Sequence, residues 1–378
     1  MSAVYLDYNA TAPIRPEAAR AVARALELGG NPSSIHAAGR AARAAVEQAR
    51  AEVARLIGAS AETLIFTGGG TEANALAIDS AALGGEVGRL IVGASEHDSV
   101  SEAARATGLP VEVWPVDRHG VADLDWLRDR LANWDKAMGR PFVALMAANN
   151  ETGVIQPVFE AAELVQAADG LLHVDAVQAA GKIPVHLCGL MADTLAVSAH
   201  KLGGPQGVGA LAFGPRATIR RRQHGGGQER GLRAGTENVG GVAGFGAAAA
   251  AVDLDAAAAQ APWRDAAAER LKREAGVTVA GEGAARLPNT LCIAAEGFPS
   301  SLQVMSLDLD GVMVSAGSAC SSGKVRPSAV LTAMGFGSSA EGALRASGGW
   351  ASTDDDWRRF ADAWLQVHAR RASRASAA

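Results

Sequence analysis

The stretch that decides the fold is Thr194-Leu-Ala-Val-Ser-Ala-His-Lys-Leu-Gly-Gly-Pro205. Its first four residues contain no charged side chain, which is typical of a strand buried on both faces, as in a parallel sheet. Ser198, His200 and Lys201 follow at once, and the glycines and proline after them indicate a turn. We therefore expect three reactive side chains at the carboxyl end of a central strand.

Six further short apolar runs recur along the chain and are separated by helix-patterned segments such as Pro16–Leu28 and Gly39–Ile57. The six runs are Leu64–Phe66, Arg89–Gly93, Val111–Val116, Phe142–Ala147, Leu171–Val174 and Val208–Phe213. This alternation predicts an α/β fold with a mostly parallel sheet covered by helices on both faces.

The pattern changes after about residue 250, where an isolated strand-like run, Thr290–Ala294, precedes a Gly/Ser-rich stretch at 315–323. A chain of 378 residues is long enough for two domains. We expect a large domain at 12–250 and a smaller α+β domain formed by 1–11 and 251–378.

Composition excludes several classes of protein. A net charge of −5 gives no electrostatic reason to expect nucleic-acid binding, and no apolar run approaches the ~18 residues that cross a bilayer. The amino-terminal residues lack the pattern of a signal peptide. The three cysteines do not suggest a disulfide framework, and Cys188 and Cys292 lie in apolar context that predicts core positions. We expect a cytoplasmic protein without contact to membrane or nucleic acid.

Polar side chains follow several of the predicted strands. They are His97, Asn149, Asp175, Gln178, Ser198, His200 and Lys201. Each of them alone reads best as a loop residue at a sheet edge. The carboxyl ends of parallel strands, however, line the ligand crevice of an open sheet, so their joint occurrence predicts one functional site.

A glycine-rich turn, Thr67-Gly-Gly-Gly-Thr71, follows one strand and opens a helix. Backbone N–H groups at such a helix start bind phosphate, although a plain tight turn has the same composition. The turn matches neither the dinucleotide motif nor the P-loop. Pyridoxal phosphate needs a phosphate anchor, a lysine for covalent attachment and a carboxylate for its ring nitrogen. Of the five lysines Lys201 is the best placed for this role, and Asp175 is the carboxylate that directly follows a buried-type run.

Longer motifs in the same regions resemble those of the cysteine desulfurases, the NifS/IscS-like members of the class V aminotransferase group of pyridoxal-phosphate enzymes. The resemblance covers nearly the whole chain. The motifs are Tyr5-Leu-Asp-Tyr-Asn-Ala-Thr11, Gly30-Asn-Pro-Ser-Ser-Ile-His36, Phe66-Thr-Gly-Gly-Gly-Thr-Glu-Ala-Asn74, Asn149-Asn-Glu-Thr-Gly-Val-Ile-Gln-Pro157, His173-Val-Asp-Ala-Val-Gln178, Ser198-Ala-His-Lys-Leu-Gly-Gly-Pro205, Gly226-Gly-Gln-Glu-Arg-Gly-Leu-Arg-Ala-Gly-Thr-Glu-Asn238, Ser318-Ala-Cys-Ser321 and Leu344-Arg-Ala-Ser347.

The resemblance implies fold type I of the pyridoxal-phosphate enzymes and a role for each matching residue. Lys201 would link to the cofactor, Asp175 would face the ring nitrogen, Gln178 the ring hydroxyl, and His97 would stack on the ring and exchange protons. The phosphate would be bound by Gly70, Thr71, Ser198 and His200, and by Thr236 of the other subunit, so that a homodimer is implied. Asn149 would contact the cofactor and, with Arg345, the substrate carboxylate.

Cys320 is the residue that would separate a desulfurase from an aminotransferase, because it would take sulfur from L-cysteine as a persulfide. The acceptor would be a protein such as an iron–sulfur scaffold, or one that serves tRNA or other sulfur-containing cofactors. No resident metal is expected, although Cys320 would come into transient contact with a 2Fe–2S cluster on a scaffold. Two alternatives stay open: a class V aminotransferase or selenocysteine lyase with an incidental Cys320, and a catalytically idle paralogue that acts as a binding partner.

Overall fold

A computed structural model describes residues 3–317 and 328–376. Cys320 and the rest of 318–327 lie outside the described residues. The helices are α1 (Pro16–Glu27), α2 (Ala37–Leu56), α3 (Gly70–Leu83), α4 (Asp98–Ala106), α5 (Leu124–Ala132), α6 (Val158–Ala167), α7 (Val239–Ala250), α8 (Leu254–Ala258), α9 (Ala261–Ala275), α10 (Ser300–Leu309), α11 (Ala329–Ala333) and α12 (Asp354–Ser376). The strands are β1 (Val4–Tyr5), β2 (Leu64–Thr67), β3 (Leu90–Gly93), β4 (Val111–Trp114), β5 (Phe142–Met146), β6 (Leu171–Asp175), β7 (Thr194–Ser198), β8 (Gly209–Phe213), β9 (Thr278–Val279), β10 (Thr290–Ala294), β11 (Val312–Met313), β12 (Ser315–Ala316) and β13 (Ala343–Ser347).

All seven predicted runs form strands of one sheet, in the order β2-β8-β7-β6-β5-β3-β4. The pairs from β7 to β4 are parallel, whereas β8 runs antiparallel to both of its neighbours. The α/β fold with a mostly parallel sheet is therefore confirmed.

Helices cover both faces of this sheet because successive strand residues point to opposite sides. Val174 and Leu195 belong to the core shared with α2 and α7, whereas Ala196 and Leu211 pack in the cluster that contains Leu76 of α3. The central strands β6 and β7 are accordingly buried along their whole length, which is why they read as continuous apolar runs.

The carboxyl-terminal region forms a second core. A four-stranded antiparallel sheet, β12-β13-β10-β9, packs with helices α9, α10 and α12 around Trp357, Phe360 and Trp364. The short β1 pairs with β11, and Val4 and Leu6 join this second core. The domain boundaries at 11/12 and 250/251 stay a prediction.

One of the two cysteine assignments is wrong. Cys292 is buried, and burial raises the pKa of its thiol to about 12. Cys188 is exposed because exposure alternates along this segment, so that Val185 and Leu187 take the buried positions. Within 3–317 and 328–376, no group of three or more His, Cys, Asp or Glu side chains could hold a metal ion.

Among the helices that the structure describes, none is individually long and apolar enough to cross a membrane. One bent pair of helices, 239–250 with 254–275, passes that test on length and composition alone.

Candidate active site

A cavity of about 260 Å³ lies at the carboxyl ends of the central strands. Nine predicted site residues line it: Gly70, Thr71, His97, Asp175, Gln178, Ser198, His200, Lys201 and Arg345. Two others do not. Thr236 is exposed elsewhere on the surface. Asn149 is buried beside the cavity, where its amide oxygen accepts the N–H groups of Glu151 and Thr152 at 2.9 Å. The roles of Asn149 and Thr236 stay predictions.

The first turn of α3 forms the phosphate end of the cavity. The carboxylate of Glu72 accepts the N–H of Gly68 at 2.6 Å and pairs with Arg233 at 2.8 Å, which fixes the turn in front of the helix. A Cβ atom on Gly70 would lie 2.8 Å from the side chain of Val177, so only glycine lets the helix begin this close to β6. The N–H groups of Gly70 and Thr71 belong to the helix start that attracts an anion.

His200 completes the phosphate end as an uncharged donor or acceptor. Burial and the nearby Lys201 and Lys182 lower the pKa of its imidazole to about 4. Its Nδ1 lies 3.2 Å from the hydroxyl oxygen of Thr11. The positive charge at this end of the cavity therefore comes from the helix dipole and Lys201, while His200 contributes hydrogen bonding.

Asp175 lies at the end of β6, and its carboxylate is held by two donors. The N–H of Val177 donates to Oδ1 at 2.9 Å, and Nδ2 of Asn74 donates to Oδ2 at 2.8 Å. Burial raises the pKa of Asp175, while these two hydrogen bonds oppose the rise. A buried carboxylate held in this way is suited to accept a hydrogen bond from a protonated ring nitrogen.

Lys201 follows β7 on a single 3₁₀ turn, and its ammonium group donates to the backbone oxygens of Asn9 and Ala10 at 2.5 and 2.8 Å. Nε2 of Gln178 donates to the same oxygen of Asn9 at 2.9 Å. Lys201 and Gln178 thus share the backbone oxygen of Asn9 as their acceptor, so the amino-terminal segment connects these two predicted residues.

A second lysine, Lys182, was missed by the sequence reasoning. Its ammonium group donates to Oε1 of Gln178 at 2.6 Å and to Oδ1 of Asn9 at 3.0 Å. Burial, then the charges of Lys201 and Arg345, lower its pKa well below the ordinary value. The spacing of Gln178 and Lys182 was visible in the sequence, but nothing there indicated that the lysine would be buried.

The opposite end of the cavity is formed by Arg345, which reaches it from β13. Its guanidinium pairs with Asp7 at 2.8 Å and donates to the backbone oxygen of Asn150 at 3.0 Å. The Nε atom is buried and has no hydrogen-bond partner among the described residues. A buried guanidinium with an unmet donor is suited to bind a carboxylate.

Glu151 lies behind Arg345, and it too was missed. The hydroxyl of Ser328 donates to its Oε2 at 2.6 Å, and a Cβ on Gly317 would lie 3.3 Å from the same oxygen. Burial raises the pKa of Glu151 to about 7, against the opposing effects of Ser328, Arg345 and His97. Glu151 therefore hydrogen-bonds to Ser328 and lies beside Gly317, the described residues on either side of 318–327.

The residues present fit pyridoxal phosphate. A helix start with close-packed glycine would hold its phosphate, a buried carboxylate would accept from its ring nitrogen, and a lysine lies in the same cavity. Arg345 at the far end supplies the positive charge that a substrate carboxylate would need.

Comparison with known proteins agrees with this geometry. Residues 4–360 match the family model described as Aminotransferase class-V. The chain is 40% identical over 372 residues to the cysteine desulfurase IscS of Dictyoglomus turgidum, which covers 93% of this chain and 91% of that protein. It is 43% identical over 357 residues to the cysteine desulfurase of Cereibacter sphaeroides, with 92% and 91% covered. The crystal structure of a NifS-like protein from Rickettsia africae superposes with a TM-score of 0.88 at 31% identity, covering 97% of this chain and 99% of that one.

Proposed function

Because this chain belongs to the class V aminotransferase family of pyridoxal-phosphate enzymes, we propose that it is a cysteine desulfurase. It converts L-cysteine to L-alanine and takes up the sulfur as a persulfide on Cys320. The observation that carries this proposal is the single cavity lined by Lys201, Asp175 and Arg345, with a phosphate-binding helix start at one end. The cysteine desulfurases to which it is similar support the choice of substrate.

Pyridoxal phosphate bound in this cavity supplies an electron sink for the bonds of the substrate α-carbon. Arg345 binds the substrate carboxylate and thereby orients the α-carbon toward Lys201. Nζ of Lys201 then removes the α-proton and returns it later in the reaction. Asp175 keeps its negative charge against the ring nitrogen, which keeps the electron sink strong.

Cys320 acts at the last chemical step. Its thiolate attacks the substrate sulfur, a sulfur–sulfur bond forms, and the carbon–sulfur bond breaks with its electron pair remaining on the carbon side. That carbon then takes a proton to give alanine. Since the amino group stays on the alanine product, no keto acid is consumed.

The persulfide needs an acceptor, and we propose a protein acceptor that serves iron–sulfur cluster assembly or another sulfur-containing product. We also propose that the enzyme is a cytoplasmic homodimer in which Thr236 contacts the phosphate in the other subunit's site. Thr236 is exposed and does not line the cavity of its own chain, which supports an intersubunit role.

The test uses the cofactor-loaded enzyme with L-cysteine and no added keto acid. We expect alanine to form, and sulfide to appear only when a reductant is supplied. Alanine formation that depends on a keto acid would identify an aminotransferase. A strong preference for L-selenocysteine would identify a lyase, and a colourless protein that binds no cofactor would identify an idle paralogue.

A further inference from the structure

Asn74 connects two groups that flank the cofactor cavity. It lies on α3, one turn after the phosphate-binding Gly70, and is completely buried. Its Nδ2 lies 2.8 Å from Oδ2 of Asp175 and 2.9 Å from Oγ of Ser99. One amide nitrogen thus donates both to the Asp175 carboxylate, which lines the cavity, and to the Ser99 hydroxyl on α4.

The amide oxygen of Asn74 faces a third neighbour, His173. Oδ1 of Asn74 lies 3.0 Å from Nε2 of His173, and Nδ1 of His173 lies 2.8 Å from the hydroxyl oxygen of Thr194. Burial lowers the pKa of His173 to about 3, so its imidazole is neutral and carries one proton. With that proton on Nε2 and the hydroxyl of Thr194 donating to Nδ1, every hydrogen bond from Thr194 to Asp175 is satisfied.

The reversed amide would place Oδ1 of Asn74 against the Asp175 carboxylate, where two acceptors would meet without a proton. The Asp175 carboxylate therefore fixes Asn74 with its amide protons directed to Asp175 and Ser99, and its oxygen is left to accept from His173. One proton goes to Asp175, and its presence opposes the rise in the pKa of Asp175 that burial causes.

The other proton determines the hydrogen bonding of Ser99. Because the Ser99 oxygen accepts from Asn74, its own proton is directed to Nδ1 of His97, at 2.9 Å. The backbone N–H of Ser99 also donates to this Nδ1 at 3.0 Å, since His97 caps the amino terminus of α4. An imidazole nitrogen that accepts two hydrogen bonds carries no proton, so the proton of neutral His97 is on Nε2.

We propose that Asn74 is a positioning residue that sets both flanks of the cofactor: it holds Asp175 as the acceptor for the ring nitrogen and, through Ser99, holds His97 in its Nε2–H form as a hydrogen-bond donor. His97 lines the cavity, so its Nε2–H serves there as a hydrogen-bond donor while its basic Nδ1 is occupied by Ser99. To accept a proton instead, His97 would have to use Nδ1 and lose its cap on α4. This inference deepens the proposed function and rests on it.

Asn74 has two branches of hydrogen bonds, one to Asp175 and one through Ser99 to His97, and three variants separate them. Asn74→Ala removes both, Ser99→Ala removes only the branch to His97, and Thr194→Val removes the outermost hydrogen bond at His173. For Asn74→Ala we expect pyridoxal phosphate to bind about tenfold more weakly, because a hydrogen bond to a buried charged group is lost. Ser99→Ala should leave that affinity within about twofold, and Thr194→Val should fall between the two.

The His97 branch is read by nitrogen NMR of the holoenzyme labelled with ¹⁵N-histidine. The chain has eight histidines, and His97→Asn identifies the resonances of His97 by their loss. In the parent enzyme Nδ1 should be unprotonated and Nε2 protonated. In Asn74→Ala and Ser99→Ala the backbone N–H of Ser99 alone still favours this form, so a measurable minor fraction of the Nδ1–H tautomer should appear. Ser99→Ala also serves if Asn74→Ala fails to fold.

A protonated Nδ1 in the parent enzyme would overturn the proposal, as would unchanged cofactor affinity together with an unchanged His97 tautomer in Asn74→Ala. Neither measurement involves L-cysteine. Both therefore test the positioning role even if the enzyme acts on a different amino acid.

Discussion

The two ends of the cavity are built differently. At the cofactor end, Asn74, His173 and Asp175 are buried with hydrogen-bond partners for all of their side-chain polar atoms. At the substrate end, Nε of Arg345 lacks a partner among the described residues, and Glu151 has a pKa near neutrality. The network that holds Asp175 is therefore complete, whereas Arg345 and Glu151 keep incomplete hydrogen bonding or a proton that is lost near neutral pH.

The origin of the residues differs in the same way. The cofactor end comes from strand ends of the one mostly parallel sheet and from α3, and these elements pack in core clusters on the two faces of that sheet. The substrate end joins Arg345 on β13 to Asp7 near the amino terminus and to Glu151 in a loop. Mutations at the first end should therefore alter the bound cofactor, and mutations at the second should alter substrate handling.

The largest effect is expected for Lys201→Ala, which removes the covalent attachment and the group that moves the α-proton. Alanine formation should fall by roughly 10⁴-fold or more, at or beyond the upper end of what a general base contributes. The absorbance of lysine-linked cofactor should disappear as well. Lys182→Ala is the matched control, because it removes the buried lysine beside the site and should keep that absorbance. A lysine-linked band that persists in Lys201→Ala and vanishes in Lys182→Ala would reverse the assignment.

A smaller effect, confined to substrate, is expected for Arg345→Gln. Loss of a charge-assisted pair with the substrate carboxylate should lower kcat/KM for L-cysteine by about 100-fold, mainly through KM. The absorbance of the bound cofactor should not change. A loss of cofactor with unchanged KM would mean that the two ends are not separable in this way.

The smallest effect concerns stability and comes from Glu151. Its pKa is raised from 4.5 to about 7, so the folded state holds the proton more tightly than the unfolded chain. The stabilisation is complete below pH 4.5 and is lost as the pH rises through 7, at a cost of roughly 3 kcal/mol.

Glu151→Gln removes this titration while its amide oxygen still accepts from Ser328. Relative to the parent protein, its Tm should be similar near pH 4.5 and higher by a few degrees at pH 8. Thermal unfolding at both pH values measures the difference. A variant that is less stable at pH 8 would show that the Glu151 charge stabilises the fold.

Much of the fold was predictable, because buried parallel strands have a distinctive sequence. Each of the seven predicted runs became a strand within a few residues of its predicted bounds, and Thr290–Ala294 matched β10 at both ends. The failure at Cys188 has a simple cause: apolar neighbours do not reveal which residues of an alternating segment face solvent.

The site was predictable where a functional residue ends a strand or closely follows one, as for Asp175 and Lys201. Asn74, Lys182 and Glu151 were missed because their roles depend on partners distant in the chain. Asn74 meets Asp175 101 residues away, and Glu151 meets Ser328 177 residues away. Sequence spacing does not encode such contacts, and the polarity of a residue alone does not predict that it will be buried.

The most direct test of the account is to find where the substrate sulfur goes. The cofactor-loaded enzyme is mixed with L-cysteine without reductant, digested and analysed by mass spectrometry, with Cys188→Ala as a control that retains Cys320. We expect the peptide containing Cys320 to gain the mass of one sulfur atom, with one alanine released per sulfur retained. Sulfur on Cys188 or Cys292, or alanine released while all three thiols remain unmodified, would contradict the proposed function.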